Sequence, residues 1–256
     1  MQHQRVLGAT ALTTAAALAA ASPSTAEPYR PLTLTSVPVI GTDNTELYAH
    51  AGYGFGREDQ QGAEYDSLHL GPLGFRYGLT EAFEYGAYFS FMNNIEDDPG
   101  APEESGLEGI TGFAKLQLSR HLALEAGLRA GGADDIAPYP NDGLDLYLNM
   151  PMQHEIGEGL AYGELGYTIQ DEVDGALGGN YLSWGVGYAH PLEDGTKLNV
   201  ELRGDEAPVG VDRNHLELLL GAGLQVEQVH LRPYVGLGIH DPSPDLSLGV
   251  SASLAL

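Results

Sequence analysis

The 256-residue sequence predicts an all-β protein, a transmembrane up-and-down antiparallel β-barrel of about 12 strands. In one segment after another, apolar residues recur at every second position, which is the spacing of one face of a β-strand. The connections between these segments alternate between short and long. The charged residues of the segments avoid the apolar face. Together these three observations favour a membrane barrel over a soluble sheet sandwich.

The N-terminal residues predict a cleaved signal peptide over residues 1–26. Arg5 is the only formally charged residue before Glu27. A stretch rich in Ala, Leu and Thr follows Arg5, and small residues, among them Ser24 and Ala26, precede the predicted cleavage site. This order of basic, apolar and small residues is typical of exported proteins, although the stretch could instead be retained as an anchor helix. We expect a periplasmic segment over residues 27–44 and the barrel over residues 45–256.

The composition excludes several classes of protein. Lys and Arg number 11 against 36 Asp and Glu, and the resulting net charge of −25 makes nucleic acid an unexpected partner. The absence of cysteine excludes disulfides, thiolate metal sites and a Cys nucleophile. After the signal peptide, no segment has the ~18 consecutive apolar residues of a transmembrane helix. The 35 glycines and 14 tyrosines favour many short strands.

The period-two pattern predicts each strand in turn. It runs through Leu47–Phe55, Leu73–Leu79, Phe83–Phe91, Ile110–Leu118, Leu122–Ala130, Leu144–Met152, Ala161–Ile169, Leu182–Tyr188, Leu198–Leu202, Leu216–Val226, Val229–Ile239 and Leu246–Leu256. Pro72 follows a break in the alternation, which predicts a β-bulge. Pro233 fits less well, because a closed barrel has no edge strand to accommodate it. Residues 215–226 could also form a short helix, but Gly221 and Gly223 favour a strand.

The lengths of the connections predict which rim of the barrel faces the periplasm. Tight turns are expected around Thr80–Ala82, Ser119–His121 and Glu227–Gln228. Longer connections rich in Asp, Glu, Gly and Pro follow at Asn93–Gly106, Gly131–Asp142 and Gln170–Gly179. Short periplasmic turns and long outer loops are typical of outer-membrane barrels.

The charged side chains of the strands all lie opposite the apolar face. A basic residue on the lipid face costs ~2–4 kcal/mol at the midplane, whereas a wet lumen accepts both signs of charge. The predicted lumen-lining residues are Glu46, Arg76, Glu84, Lys115, Glu125, Arg129, Asp145, Glu164, Lys197, Glu201, Arg203, Glu217 and Arg232. Inward glycines, including Gly185, Gly187, Gly236 and Gly238, are expected to leave open space beside them.

One hairpin resembles a known family. The stretch RYGLTEAFEYGAYFSF (Arg76–Phe91) resembles a strand–turn–strand of bacterial outer-membrane barrels, in which Tyr-Gly-Leu-Thr precedes an aromatic residue and a Glu. It is most similar to the outer-membrane transporters named for the meta-pathway of phenol degradation. The resemblance implies a barrel in the outer membrane and the passage of small molecules. The C-terminal Leu256 departs from the terminal aromatic residue of such barrels.

The sequence predicts neither an enzyme nor a metal or cofactor site. Barrel lipases of the phospholipase and deacylase types carry a His-x-Ser pair, and none of the nine histidines has a Ser two residues later. Asp212 and His215 are three residues apart, whereas the omptin pair is separated by two. His50, His215 and His230 face the lumen by parity, where solvated lining groups are the expected role. No closely spaced histidine pair indicates a transition-metal site.

One outer loop is strongly acidic, with Glu96, Asp97, Asp98, Glu103 and Glu104 and no basic residue. Such a loop would concentrate cations at the barrel mouth, or it would serve only as a solvated surface in a high-salt habitat.

The sequence therefore predicts a monomer in the outer membrane of a Gram-negative bacterium. Its partners would be membrane lipid and a small-molecule or ion solute, which passes through a narrow charged lumen with a cation bias. A non-conducting structural or adhesive barrel with a salt-bridged plug is the alternative function, and a soluble secreted β protein is the alternative fold.

Overall fold

The computed structural model describes residues 31–58, 64–96, 105–131, 143–170, 180–193, 195–206, 215–240 and 243–256. These residues contain twelve strands, as the alternation predicts: β1 (Thr45–Glu58), β2 (Glu64–Thr80), β3 (Phe83–Glu96), β4 (Ser105–Ser119), β5 (Leu122–Gly131), β6 (Leu144–Ile156), β7 (Gly159–Ile169), β8 (Tyr181–Pro191), β9 (Lys197–Asp205), β10 (His215–Val226), β11 (Val229–Gly238) and β12 (Leu246–Ala255). The predicted signal peptide lies outside the described residues, and so do Asp97, Asp98, Glu103 and Glu104 of the acidic loop. Glu96 ends β3. No helix among the described residues is long and apolar enough to cross a membrane.

The strands form one closed antiparallel barrel. Each strand pairs with its neighbour in the sequence, and β1 pairs with β12 from Glu46 opposite Ala255 to Phe55 opposite Leu246. The amide of Leu256 donates a 2.9 Å hydrogen bond to the carbonyl of Thr45 and continues this seam. Closure leaves no exposed strand edge, so the sandwich alternative is excluded.

The two rims of the barrel differ as predicted. Two-residue turns join β2 to β3, β4 to β5, β6 to β7 and β10 to β11. Residues 215–226 form a strand rather than a helix. Pro233 is paired with Val250 of β12, while the ladder to β10 has a gap at this position. Because proline has no amide hydrogen, that gap is how the closed barrel accommodates it.

The barrel is apolar outside and charged inside. Val186 and Leu148 are 54% and 49% exposed on the outer face, whereas Glu84, Glu201 and Glu217 are 0% exposed. In a soluble protein the exposure of these two groups would be reversed. An apolar belt around a closed sheet is suited to lipid, because every strand finds its backbone partners within the barrel.

Bulges interrupt the alternation in three strands near the long-loop rim. The pairing of β1 with β2 shifts between Gly54 and Arg57, and that of β2 with β3 shifts at Gly71–Pro72, where the bulge was predicted. A third shift lies in β4, between Leu107 and Gly109. Each extra residue moves the following side chains to the other face of the strand. Arg57, His69 and Glu108 therefore line the barrel interior.

Residues 31–44 precede β1. We call them the N-terminal segment. Residues 31–40 lie inside the barrel, whereas Thr42, Asp43 and Asn44 are exposed at the rim beside the β2–β3 turn. A periplasmic segment is predicted over residues 27–44, but the side chains of Leu32, Leu34 and Val37 are buried. The backbone of the segment forms hydrogen bonds with side chains of β3, β9 and β12. The interior accepts this chain because its carboxylates and bases bind the segment backbone.

Candidate functional site in the barrel interior

Carboxylates of the wall accept hydrogen bonds from backbone amides of the N-terminal segment. Glu201 of β9 accepts from the amides of Leu32 and Thr33, from the Thr33 hydroxyl at 2.8 Å, and from the Tyr162 hydroxyl at 2.9 Å. Glu164 of β7 accepts from the Thr35 amide at 2.8 Å. These bonds give buried carboxylates the donors that burial requires.

The same arrangement continues toward β1. Glu84 of β3 accepts from the Ile40 amide at 2.8 Å. The amide of Val39 donates to the Gln117 side chain of β4 at 3.3 Å. Because Glu84, Gln117 and the more distant Glu201 lie on separate strands, the segment is held across the width of the barrel.

Basic side chains of the wall bind carbonyls of the same segment. Lys115 donates from Nζ to the carbonyls of Ser36 and Pro38, both at 3.1 Å. Arg232 donates to the carbonyl of Pro31 at 3.0 Å. The wall thus satisfies both amides and carbonyls of a chain that lacks strand partners.

Apolar side chains fix the position of the segment along its length. Leu32 packs against Leu219 and Tyr234, and Leu34 packs in a cluster with Leu160, Tyr162 and Ala189. A Cβ at Gly185 would lie 2.5 Å from a methyl carbon of Leu34, so a larger residue at this position would require the Leu34 side chain to move. The prediction that Gly185 leaves open space is therefore wrong, because Leu34 fills that space.

The half of the interior near the short turns, which we call the periplasmic half, also contains a network of ion pairs. Arg76 contacts Glu46 at 2.8 Å and Glu84 at 3.2 Å. Lys115 contacts the same Glu84 at 2.7 Å, and both side chains are 1% exposed. This network and the N-terminal segment together provide partners for Arg76, Lys115 and Glu84.

The other predicted lumen residues are distributed around the wall. Arg129 pairs with Asp145 at 2.5 Å, and Glu125 accepts a hydrogen bond from Tyr147 at 3.2 Å. Arg203 donates to Glu217 from Nε at 3.0 Å and from Nη2 at 2.6 Å. Lys197 begins β9 beside Pro191, at the rim with the short turns. The predicted lumen-lining residues therefore form mainly separate ion pairs along the wall and do not converge on one constriction.

A cavity of about 470 Å³ lies in the barrel interior beside the N-terminal segment. Leu32, Thr33 and Leu34 form one side of it. The remaining wall contains polar, aromatic and apolar residues. Its charged and ring-bearing members come from β1, β2, β4, β9, β10 and β11, and they include Arg57, His50, His69, Glu108, Arg203, Asp205, His215, Glu217, Arg232 and Tyr234. A volume of this size suits a small organic molecule.

Two histidines of the cavity wall have defined partners. His50 contacts the Gly71 carbonyl from Nδ1 at 2.9 Å and the Tyr234 hydroxyl from Nε2 at 2.8 Å. Since a carbonyl only accepts, Nδ1 of His50 carries hydrogen, and in the neutral ring Nε2 accepts from Tyr234. His69 lies 2.6 Å from Glu108.

Simple parity missed three of these wall residues. Arg57 and Glu108 share the parity of outward-facing residues in their strands, and only the bulges turn them inward. For His69 a signal was present, because the break before Pro72 reverses the parity of the preceding residues. Among the described residues, no three His, Asp or Glu side chains converge in a way that would hold a metal ion.

Comparison with known proteins supports the fold. No family model and no curated protein matches the sequence. The COG4313 outer membrane channel from Pseudomonas putida F1 aligns with a TM-score of 0.62 at 12% identity, covering 89% of this chain and 100% of that chain. The CymD monoaromatic hydrocarbon channel aligns with a TM-score of 0.51 at 8% identity, covering 84% of this chain and 88% of that one. The shared fold and the apolar outer belt place this barrel in the outer membrane of a Gram-negative bacterium.

Proposed function

We propose that the protein is a non-enzymatic outer-membrane channel that passes small solutes. The observation that carries this proposal is the cavity of about 470 Å³ inside a closed barrel, with both polar and apolar side chains in its wall. A wall rich in charged and hydroxyl groups solvates a polar solute, whereas a purely structural barrel has no need of such a space. The resemblance of residues 76–91 to the transporters named for phenol degradation agrees with this function.

A weak cation bias forms part of the proposal. In the described interior, carboxylates outnumber basic side chains only slightly, and most of them are paired. Glu84, for example, has two basic partners, and Glu217 has Arg203. Paired charges contribute little net potential, so the acidic loop at the mouth would supply most of the bias.

Single-channel recording of the predicted mature chain, residues 27–256, tests the proposal in a planar bilayer under a salt gradient. We expect discrete conductance steps and a reversal potential on the cation-selective side. Migration that changes on heating identifies folded protein in a gel before recording. Silence from protein that is folded and inserted would contradict the channel.

A plugged barrel is the second candidate, and one observation favours it. The N-terminal segment is bound to the wall by Glu84, Glu164, Glu201, Lys115 and Arg232. A segment held at so many points can block the periplasmic half. Wild-type protein that is silent, together with a variant lacking residues 31–43 that conducts, would support this candidate over the open channel.

A further inference from the structure

The cavity wall near the long-loop rim contains polar atoms without partners. Nε of Arg57, Oδ1 of Asp205 and Nε2 of His215 are buried and make no hydrogen bond. All three residues line the cavity. Buried polar atoms are nearly always paired in native proteins, so such a group of exceptions in one cavity calls for a missing partner.

These residues lie at the same end of the barrel. Arg57 is near the end of β1, Asp205 ends β9, and His215 begins β10 as the register partner of Asp205. Nε2 of His215 is 3.8 Å from Glu217, beyond hydrogen-bond distance. Of these atoms, Nε of Arg57 can only donate a hydrogen bond, and Oδ1 of the Asp205 carboxylate can only accept one.

Arg203 adds a second donor to this group. Its Nε and Nη2 both donate to one oxygen of Glu217, while the other oxygen of Glu217 accepts from Ser247. Glu217 is thus fully engaged and buried. The remaining guanidinium nitrogen of Arg203 is available to the cavity, and its side chain is 31% exposed there.

The charges of this wall are close to balanced. Arg203 is opposed by Glu217, and Glu108 lies 2.6 Å from His69. Arg232 and Glu164 also line the cavity, but they bind the carbonyl of Pro31 and the amide of Thr35. Arg57 and Asp205 remain as one base and one acid that form no ion pair among the described residues. A site with one unpaired charge of each sign matches a ligand that also carries one of each. The cavity wall also has apolar side chains, with Leu32 and Leu34 on the N-terminal segment and Met92 on β3.

We propose that this cavity binds an α-amino acid with an apolar side chain, in its zwitterionic form. The ligand carboxylate accepts hydrogen bonds from Arg57 and Arg203, its ammonium group donates to Asp205, and its side chain contacts Leu32 and Leu34. This inference rests on the proposed channel function, for which it names the class of solute.

Isothermal titration calorimetry of the folded barrel in detergent tests the proposal with L-leucine and two fragments of it. One fragment, 4-methylpentanoate, lacks the ammonium group, and the other, isoamylamine, lacks the carboxylate. We expect L-leucine to bind at least about tenfold more tightly than either, because each fragment leaves a buried group of the site unpaired. Equal binding of L-leucine and either fragment would overturn the proposal. Equal binding of 2-hydroxy-4-methylpentanoate would overturn the role given to the ammonium group.

Two variants separate recognition from a structural effect. Asp205→Asn should abolish the preference for L-leucine over 4-methylpentanoate and retain that over isoamylamine. Arg57→Gln should reduce the preference for L-leucine over isoamylamine, because Arg203 alone then binds the carboxylate, and should retain that over 4-methylpentanoate. Arg120→Gln, in the turn at the opposite rim, is the matched control and should change neither preference. If both variants weaken the binding of all three ligands equally, the proposal is contradicted. If Arg57→Gln does not fold, Arg203→Lys repeats the test of carboxylate binding.

Conductance measurements distinguish failure of this inference from failure of the channel proposal. A barrel that conducts salt but binds no L-leucine would overturn the amino-acid site and leave the channel standing. A folded barrel that binds L-leucine as described but conducts no ions and transports no amino acid would overturn the channel and leave a binding cavity.

Discussion

The two halves of the barrel interior have the same wall chemistry but different contents. In the periplasmic half, Glu84 is bound by Arg76, Lys115 and the amide of Ile40. In the half near the long loops, Arg57 and Asp205 retain buried atoms without partners. Strand parity places charges in both halves alike. Whether a charge is structural or available to a solute depends on what lies beside it, which here is the N-terminal segment.

Removal of the N-terminal segment should have the largest effect on the difference between the two halves of the interior. A variant lacking residues 31–43 would open the periplasmic half, so we expect single-channel conductance to rise several-fold. A full-length variant with Leu32→Asp and Leu34→Asp provides the control, because it retains the chain but removes its apolar contacts. Unchanged conductance in both variants would show that the segment does not limit flow.

Lys115→Met should most strongly destabilise the periplasmic half. It leaves Glu84 with one basic partner fewer in a buried site, and it frees the carbonyls of Ser36 and Pro38. Breaking a buried pair costs ~3–5 kcal/mol. Equilibrium unfolding by urea in lipid vesicles measures the loss.

The double variant Lys115→Met with Glu84→Gln is the control for that prediction. It removes both charges, so part of the lost free energy of unfolding should return. If the single and double variants unfold alike, Glu84 does not depend on Lys115.

Glu201→Gln should act on the N-terminal segment with a smaller effect. An amide oxygen accepts less strongly than a carboxylate, and its NH₂ group cannot accept from the Leu32 or Thr33 amides. We expect a loss of ~1–3 kcal/mol in unfolding free energy and faster proteolysis within the segment. Glu155→Gln, on the exposed rim, should change neither; equal proteolysis of both variants would contradict the role of Glu201.

Arg129→Glu should have the smallest effect. Arg129 is partly exposed and pairs with Asp145, so its reversal of charge adds negative potential to the wall. We expect a shift of reversal potential toward cations, with less than about a tenfold change in the permeability ratio. An unchanged potential would remove Arg129 from the conduction path.

Much of the fold follows from the sequence, because a barrel wall requires a simple period. Alternation gives all twelve strands, and the break before Pro72 gives the bulge in β2. The inward direction of Glu84 and Glu201 follows from the same parity. The inward direction of Arg57 and Glu108 does not follow from parity, because it depends on bulges that the alternation in β1 and β4 does not predict.

The position of the N-terminal segment could not be predicted in this way. Its polar contacts are mainly made by backbone carbonyls, which every residue possesses, and by amides, which every residue except proline possesses, so no sequence pattern reveals them. The Leu32 amide, for example, meets Glu201 across 169 positions of the chain. Only the closed barrel brings such groups together.

This placement has a consequence for the order of assembly. The binding site for the N-terminal segment includes β3, β7, β9 and β11, so it is complete only when most of the barrel has formed. Contacts between such distant residues come late, since the intervening chain must first be ordered. The residues nearest the start of the described chain therefore reach their final position near the end of folding, and β1 must pair with β12 around them.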